Sequence, residues 1–398
     1  MPGDYKVCWS HSGTDHQDYQ VPVATLRVGG PVPNDNVCTL SEPCMVVVEG
    51  VRLAHTSKLL FIEEDSTCGD LLAVVAVWSG VNNPAATALL SPPLNPGFVY
   101  ANGDTYDAGL GYAGIPSTRY KVCWSFNPTS GGGIADYKVD VGQFTMNGAV
   151  QDVVGQCTLG QSCNLIISGT GLSETNQVKI VMGPGLCGSS SITAAVLQGI
   201  TNPQLVTNDA YDNQYNMGLV TIGGSYALCR VAVPAETCIG DHYKICWAHG
   251  VYAPPIGGKS LVVEIGSFQM SGPFVTYSVE CTMGSVCAFI LYGSLLDMQN
   301  RVLIIEATSS CGDSNPIIAT FAGLRNPQPM AQVSADKSEA TVRLGISNGG
   351  REDGYKLCWG FNPFRVSDYT IEVGPFYFRG LAGDCVADGL TVTCSDVR

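Results

Sequence analysis

Seventeen cysteines carry most of the chemistry this chain could perform. Three sets repeat one spacing, with a second cysteine six residues after the first and a third 24 further on: Cys38/Cys44/Cys68, Cys157/Cys163/Cys187 and Cys281/Cys287/Cys311. A fourth member of each set sits in a Tyr-Lys-x-Cys-Trp motif, at Cys123, Cys246 and Cys358. Metal ligation would want C-x-x-C pairs or histidines at the same repeat, and neither occurs, because His11, His16, His55, His242 and His249 are scattered. Disulfides in an oxidising compartment remain. The spacing predicts local bridges Cys38–Cys44, Cys157–Cys163 and Cys281–Cys287 closing a turn into a strand. It predicts distal bridges Cys68–Cys123, Cys187–Cys246 and Cys311–Cys358 between neighbouring strands on an outer sheet face. Cys229–Cys238 and Cys385–Cys394 would be further local pairs, the latter around an Asp-Gly turn. Cys8 is left over, and its place in the repeat asks for a partner about 50 residues upstream.

Other candidate chemistry is thinner. Gly257-Gly258-Lys259-Ser260 resembles the end of a phosphate-binding loop, but position 253 is Ala where that loop needs Gly. Acidic pairs three residues apart, Asp104/Asp107, Asp209/Asp212 and Asp336/Glu339, precede a strand in each copy and are candidate calcium ligands. No third and fourth ligand is obvious, and turn-forming Asp in a solvated loop is the simpler explanation. No other cofactor is indicated. No unblocked Asn-x-Ser/Thr exists, since Pro128 interrupts the one candidate at Asn127, so any glycan would be O-linked, with 91–96 and 253–255 as Pro-rich candidate loops. The formal charge is −14 with no Lys/Arg cluster, which disfavours nucleic acid and anionic membrane surfaces as partners. The longest nearly apolar run, residues 71–81, is far too short for a membrane span.

The cysteines are positioned by a repeat. Tyr-Lys-x-Cys-Trp begins at Tyr5, Tyr120, Tyr243 and Tyr355; "GVNNP", "GITNP" and "GLRNP" recur at 80, 199 and 323. A period near 115 residues makes each copy a whole domain. Within a copy the segments are short, β-branched and alternating, with Gly, Pro and Asn between them. Tyr137, Val139 and Val141 alternate with Lys138 and Asp140, and Val178, Ile180 and Met182 flank Lys179. About seven such segments per copy and no convincing helix predict an all-β protein of tandem immunoglobulin-like Greek-key sandwiches. The domains should span 31–148, 149–272 and 273–380, with the last strands of a preceding repeat at 1–30 and the start of a following one at 381–398.

Successive strand residues face opposite ways. Tyr120 and Trp124, Tyr243 and Trp247, Tyr355 and Trp359 should therefore point into the core, with Lys and Cys on the other face. The alternative for such aromatics is an exposed carbohydrate platform. A Val-Gly or Ile-Gly step at Val28-Gly29, Val141-Gly142, Ile265-Gly266 and Val373-Gly374 reads as a bulge. The last strand of each copy runs on without a Ser/Gly/Pro linker, so hinge motion should be limited and each domain should add roughly 35 Å to a rod.

The stretch 165–181, "LIISGTGLSETNQVKIV", resembles the IPT/TIG branch of immunoglobulin-like domains. The whole pattern of paired cysteines, Cys-Gly, Asn-Pro and Tyr-Lys-x-Cys-Trp resembles tandem repeats of large secreted algal and protist proteins, including shaft proteins of flagellar hairs (mastigonemes). That resemblance covers nearly the whole chain and carries no catalytic residue across. It implies a non-enzymatic, extracellular or cell-surface structural protein: a stiff rod whose partners are itself or adjacent copies in a filament, hair or wall layer. The alternative is an adhesin or receptor ectodomain binding glycan or protein through its loops. The first ten residues do not read as a signal peptide, so export would depend on a signal outside this numbering. The unpaired Cys8 and the short C-terminal copy predict either a window in a longer repeat protein or end domains completed by neighbouring chains.

Overall fold

The computed structural model describes residues 1–88, 101–129, 133–183, 186–189, 194–195, 197–208, 212–222, 243–250, 261–274, 278–349, 354–379, 385–388 and 391–394, a few of them by backbone alone. Strands dominate; the helical pieces among the described residues are 3₁₀ turns at His16–Asp18, Ile134–Asp136 and Val366–Asp368.

A hairpin comes first, β1 (Gly3–Trp9) and β2 (Val21–Val28). The first sandwich comprises β3 (Gly30–Pro31), β4 (Asn36–Thr39), β5 (Pro43–Leu53), β6 (Lys58–Glu63), β7 (Trp78–Thr87), β8 (Ala101–Gly114), β9 (Ser117–Ser125) and β10 (Val139–Ala149). One layer runs β3-β5-β8-β7 and the other β4-β10-β9-β6, with β4 parallel to β10 and the remaining pairs antiparallel. This is the immunoglobulin arrangement of two Greek-key sheets. The second sandwich repeats it with β11 (Val153–Thr158), β12 (Ser162–Ile167), β13 (Gly169–Thr170), β14 (Gln177–Met182), β15 (Gln198–Ile200), β16 (Gln204–Leu205), β17 (Asn213–Ile222), β18 (Tyr243–Ala248) and β19 (Val263–Pro273). The third uses β20 (Val279–Thr282), β21 (Val286–Ser294), β22 (Arg301–Glu306), β23 (Ala322–Leu324), β24 (Gln328–Val333), β25 (Glu339–Gly349), β26 (Gly354–Gly360) and β27 (Ile371–Arg379). A short hairpin, β28 (Cys385–Asp388) and β29 (Thr391–Cys394), follows.

The aromatic motif faces inward. Tyr120, Trp124, Tyr243, Trp247, Tyr355 and Trp359 are all buried, so none is presented as a sugar platform. Trp124 Nε1 donates to the Tyr106 hydroxyl at 3.1 Å inside the first core. Burial pushes the Tyr106 phenol up to about 12 and raises Tyr215, its counterpart on β17. The third domain has Val342 at that ladder position, and Trp359 Nε1 has no partner there.

Two local readings change. Tyr137 does not continue the alternation of Val139 and Val141: it closes a 3₁₀ turn and is buried, while Val139 is exposed. The ladder skips a residue at Asp140/Gly142, and the same skip occurs at Ile245/Cys246 and Leu357/Cys358. In the N-terminal hairpin the skip lies at Val7/Cys8, opposite Ala24 and Pro22, and not at Val28-Gly29. The step at Val28-Gly29 lacks the bulge because it marks the end of β2, not its middle. At Gly142 (φ 138°) a Cβ would lie 2.6 Å from Asn34 O, so the bulge makes room for the chain entering β4.

The Asn-Pro motif closes an open rung. Asn83 Oδ1 accepts from Phe61 N–H at 3.0 Å, and its Nδ2 donates to Phe61 O (2.8 Å) and Ala76 O (2.9 Å). Asn202 does the same to Ile180 and Ala195, and Asn326 to Ile304 and Ala319. Each precedes a cis proline. The amide takes the place of a backbone neighbour along β6, β14 and β22.

Asn202→Ala strips three hydrogen bonds and leaves the Ile180 N–H without a partner, while Ile180 O keeps only the Ala195 N–H. It should cost ~2–3 kcal/mol in urea unfolding followed by Trp247 fluorescence. Asn202→Asp, which keeps one acceptor and loses both donated bonds, should also destabilise at neutral pH. An Ala variant within ~0.5 kcal/mol of the parent would show that the amide adds nothing beyond surface filling.

Candidate functional site: joints and disulfide clamps

The last strand of each domain becomes the first strand of the next. β10 pairs with β9 along Val139–Met146, then its final residues Gly148 and Ala149 pair with Thr170 and Gly169 of the second domain. β19 passes to the third domain through Gly272↔Ser294 and Pro273↔Gly293. Gly30↔Val51 and Pro31↔Gly50 make the same step after β2. One further bond extends each joint: Val32 N–H to Glu49 O, Val150 N–H to Ser168 O and Phe274 N–H to Tyr292 O, at 2.8–2.9 Å.

A strand serving two sheets must turn between them. Gly30, Gly148 and Gly272 take φ of 152°, 155° and 146°, which disfavours any Cβ. At the two later joints space also opposes one: a Cβ on Gly148 would lie 2.9 Å from the Leu40 side chain, and one on Gly272 2.6 Å from that of Leu159, whereas one on Gly30 would meet nothing within 4 Å. Leu40 and Leu159 are buried in one apolar cluster that runs through all three domains. Ser41, beside Leu40, adopts φ 77° where the other copies have Gly160 and Gly284, and its Oγ accepts from His249 N–H of the second domain at 2.9 Å. At the next joint Gly160 lies against Thr370 and Ile371 of the third.

The cysteines close two kinds of clamp. Cys38–Cys44, Cys157–Cys163 and Cys281–Cys287, with Cα–Cα of 5.2–5.3 Å, join the strand that pairs with the last one to the strand opening the other layer. They therefore staple the two sheets at an edge. Cys68–Cys123, Cys187–Cys246 and Cys311–Cys358 span 55, 59 and 47 residues. Their first members do not sit on a neighbouring strand as expected. Cys68 lies in a turn of the 64–77 segment, which folds over the outer face of the β6–β9 layer. The bridge pins that segment down, and Cys123 is buried with Leu60, Ile62, Ala73 and Tyr137 in a small second core. Cys358, Leu303, Ile305 and Tyr369 form its equivalent. Sequence spacing identified the cysteines but could not show that a loop would cover them.

The motif lysine lies on the same face. Lys121 reaches Asp140 at 4.0 Å and donates to Ser66 O at 3.1 Å; Lys244 pairs with Glu264 at 2.8 Å and Lys356 with Glu372 at 3.7 Å. Such half-exposed pairs each contribute at most ~1 kcal/mol.

The acidic pairs do not occupy matching places. Asp104 and Asp107 are both inside β8, on opposite faces of the pleat: Asp104 pairs with buried Val48 and Asp107 with exposed Met45. Burial raises the Asp104 pKa. Asp336 instead sits in a turn, accepting from Ser334 and Ser338, while Glu339 starts β25. Asp212 precedes β17, and Asp209 lies outside the described residues. No cluster of three or more His, Cys, Asp or Glu able to hold a metal occurs among the described residues. Residues 257–260, Cys229, Cys238 and both Pro-rich loops lie outside them too. Cys385 and Cys394 face each other as backbone partners across β28 and β29.

Disulfides of this number form and persist in an oxidising environment, which places the protein outside the cytosol. No described helix is long and apolar enough to cross a membrane. No protein-family model matches the chain, and no curated protein does. Solved structures overlap it at low identity. A marsupial T cell receptor is 11% identical, covering 83% of this chain and 95% of its own, with a TM-score of 0.20. SGBP-B of the Bacteroides ovatus mixed-linkage glucan utilization locus, in complex with a mixed-linkage heptasaccharide, is 10% identical over 91% and 70%, TM-score 0.16. The teleost fish polymeric Ig receptor ectodomain is 12% identical over 59% and 97%, TM-score 0.18. At those scores the immunoglobulin assignment rests on strand order and pairing.

Removing Cys68–Cys123 as a double Ser variant should cost ~4 kcal/mol by loop entropy, against ~2 kcal/mol for Cys38–Cys44. Paired denaturation curves check the ranking; equal losses would show that the covered segment is held by packing alone. Gly148→Val should release the joint without unfolding either sandwich. Amide exchange at Val150 should accelerate while β9 and β10 stay protected, and unchanged exchange at Val150 would count against the steric argument.

Proposed function

We propose that this chain is a segment of a non-enzymatic extracellular rod of tandem immunoglobulin-like domains, built to assemble into a filament, hair or cell-surface layer of the mastigoneme type. The observation that carries the reading is the shared strand. Each joint has no linker, a glycine that sets one turn, and backbone pairing that must break before the domains can swing. A ligand-binding ectodomain has no need of the same joint three times over; a load-bearing rod does, because stiffness adds along its length.

A second repeated feature supports sideways association. Val47, Ile166 and Ile290 each stand three residues past the second cysteine of the turn and are 50%, 59% and 45% exposed on the outer face of their sheets. The proposal treats these positions as a periodic apolar strip with which adjacent copies pack. O-linked glycans on the Pro-rich loops would decorate such a rod without blocking the strip.

Electron microscopy of the native material should show fibres whose axial repeat matches the domain spacing. Purified chain should self-associate with rising concentration, and the triple variant Val47→Glu, Ile166→Glu, Ile290→Glu should stay monomeric with unchanged unfolding temperature. A wild-type chain that stays monomeric at high concentration, from a source without filaments, would reject assembly in favour of the adhesin alternative.

A further inference from the structure

The N-terminal hairpin is half of a sandwich without its other half. β1 and β2 match the last two strands of each complete domain, register for register: Tyr5↔Leu26 corresponds to Tyr120↔Phe144, Tyr243↔Phe268 and Tyr355↔Phe376. Both the skip beside the motif cysteine and the 3₁₀ turn in the connecting loop recur. So does the aspartate that orders that loop: Asp18 accepts from the Thr14 and Asp15 amides as Asp368 does from Phe364 and Arg365. Only the environment differs. Tyr5, Val7, Trp9, Val23 and Leu26 are 44%, 38%, 52%, 57% and 54% exposed, whereas Tyr120, Val122, Trp124, Val141 and Phe144 are at most 6% exposed.

In the complete domains that face is covered by the opposing layer, β5-β8-β7 in the first. Covering five such side chains is worth several kcal/mol, and a lone two-stranded hairpin is marginal in water. The cysteine supplies a second, independent mark. Cys8 is the free cysteine among the described residues, and its equivalents Cys123, Cys246 and Cys358 are all bridged to the covering segment.

We propose that the β1–β2 face docks the remaining strands of a further sandwich of this same repeat type, carried on the same polypeptide, with Cys8 bonded to a Cys-Gly cysteine in its covering segment. The same-chain source follows from connectivity. β8, the middle strand of the covering layer, ends at Gly114 and β9 begins at Ser117, so the covering layer feeds straight into the motif strand. A tethered half then arrives without the translational cost a separate chain would bear. Bond formation oxidises two thiols to one S–S bond; two protons leave, and the two electrons reduce a disulfide of the exchange catalysts of the secretory compartment to a dithiol. The inference concerns the end of the rod and stands whether or not rods associate sideways.

Non-reducing peptide mapping of the native protein, with intact mass before and after reduction, tests it. The expected result is Cys8 joined to a Cys-Gly cysteine 47–59 residues ahead of it, the span of the three bridges seen, with reduction releasing one polypeptide heavier than 41.9 kDa. A free Cys8 thiol, a Cys8–Cys8 dimer, or a bridge to a separate polypeptide would each overturn it. As a second readout, the 398-residue chain alone should exchange β1 and β2 amides at least 100-fold faster than those of β26 and β27. Equal protection would overturn the claim that the face is uncovered.

Discussion

A single primary amide in each domain does what a missing strand would do. In the first domain β6 is paired to β9 along its full length, but on its other side β7 meets it only at Lys58 and Leu59. Beyond that point residues 74–76 take over, with Ala76 N–H donating to Phe61 O and Glu63 N–H to Val74 O, but the Phe61 N–H has no strand partner, and an unpaired edge invites pairing with another chain. Asn83 fills the rung with one acceptor and one donor, and its second donor holds Ala76 O. Ala76 is the end of the segment that carries Cys68 and covers the outer face of the sheet. The amide thus ties together the sheet edge, the covering segment and, through Trp78 two residues on, the aromatic packing against Tyr120 and Phe144.

Outside the main core, the distal disulfides of the first and third domains each build a second apolar layer. Placing Cys123 on the face opposite Tyr120 and Trp124 exposes a cysteine to water unless something lies over it. The covering segment and Tyr137 solve that, at the cost of ordering a long irregular stretch. The disulfide reduces that cost by limiting the freedom of the unfolded chain. The bridge is unlike the inter-sheet bridge of antibody domains, and the local cysteine pair takes over the role of joining the layers.

The joints combine two demands that conflict elsewhere. Domains in tandem need a change of direction to pack end to end, and stiffness requires that no free bond supply it. Here the turn is made inside a hydrogen-bonded strand by a glycine at φ near 150°, and at Gly148 and Gly272 the preceding domain's buried leucine, Leu40 or Leu159, presses against it. Motion at the joint therefore requires loss of backbone pairing and of apolar contact together, and this coupling underlies the structural role proposed above.

The cysteine pattern, the all-β class, the inward-facing aromatics and the glycine-punctuated repeats were legible from residue order, because they depend on period-two alternation and on local spacing. Which residues would meet across strands was not legible. Asp104/Asp107 and Asp336/Glu339 share a spacing but not a ladder position, since register is set by long-range pairing and one strand begins where the other is still a turn. Tyr137 left its expected alternation because a local 3₁₀ turn and a one-residue bulge redirect the chain, and the bulge accommodates Asn34, about 100 residues away in sequence. The repeated Asn-Pro stood out as a motif, yet its three hydrogen bonds reach 22 and 7 residues back and exist only once the sheet edge is in place. Local chemistry determined what each residue could do; tertiary structure decided what it met, because burial and pairing are properties of the folded surface and not of the order of side chains.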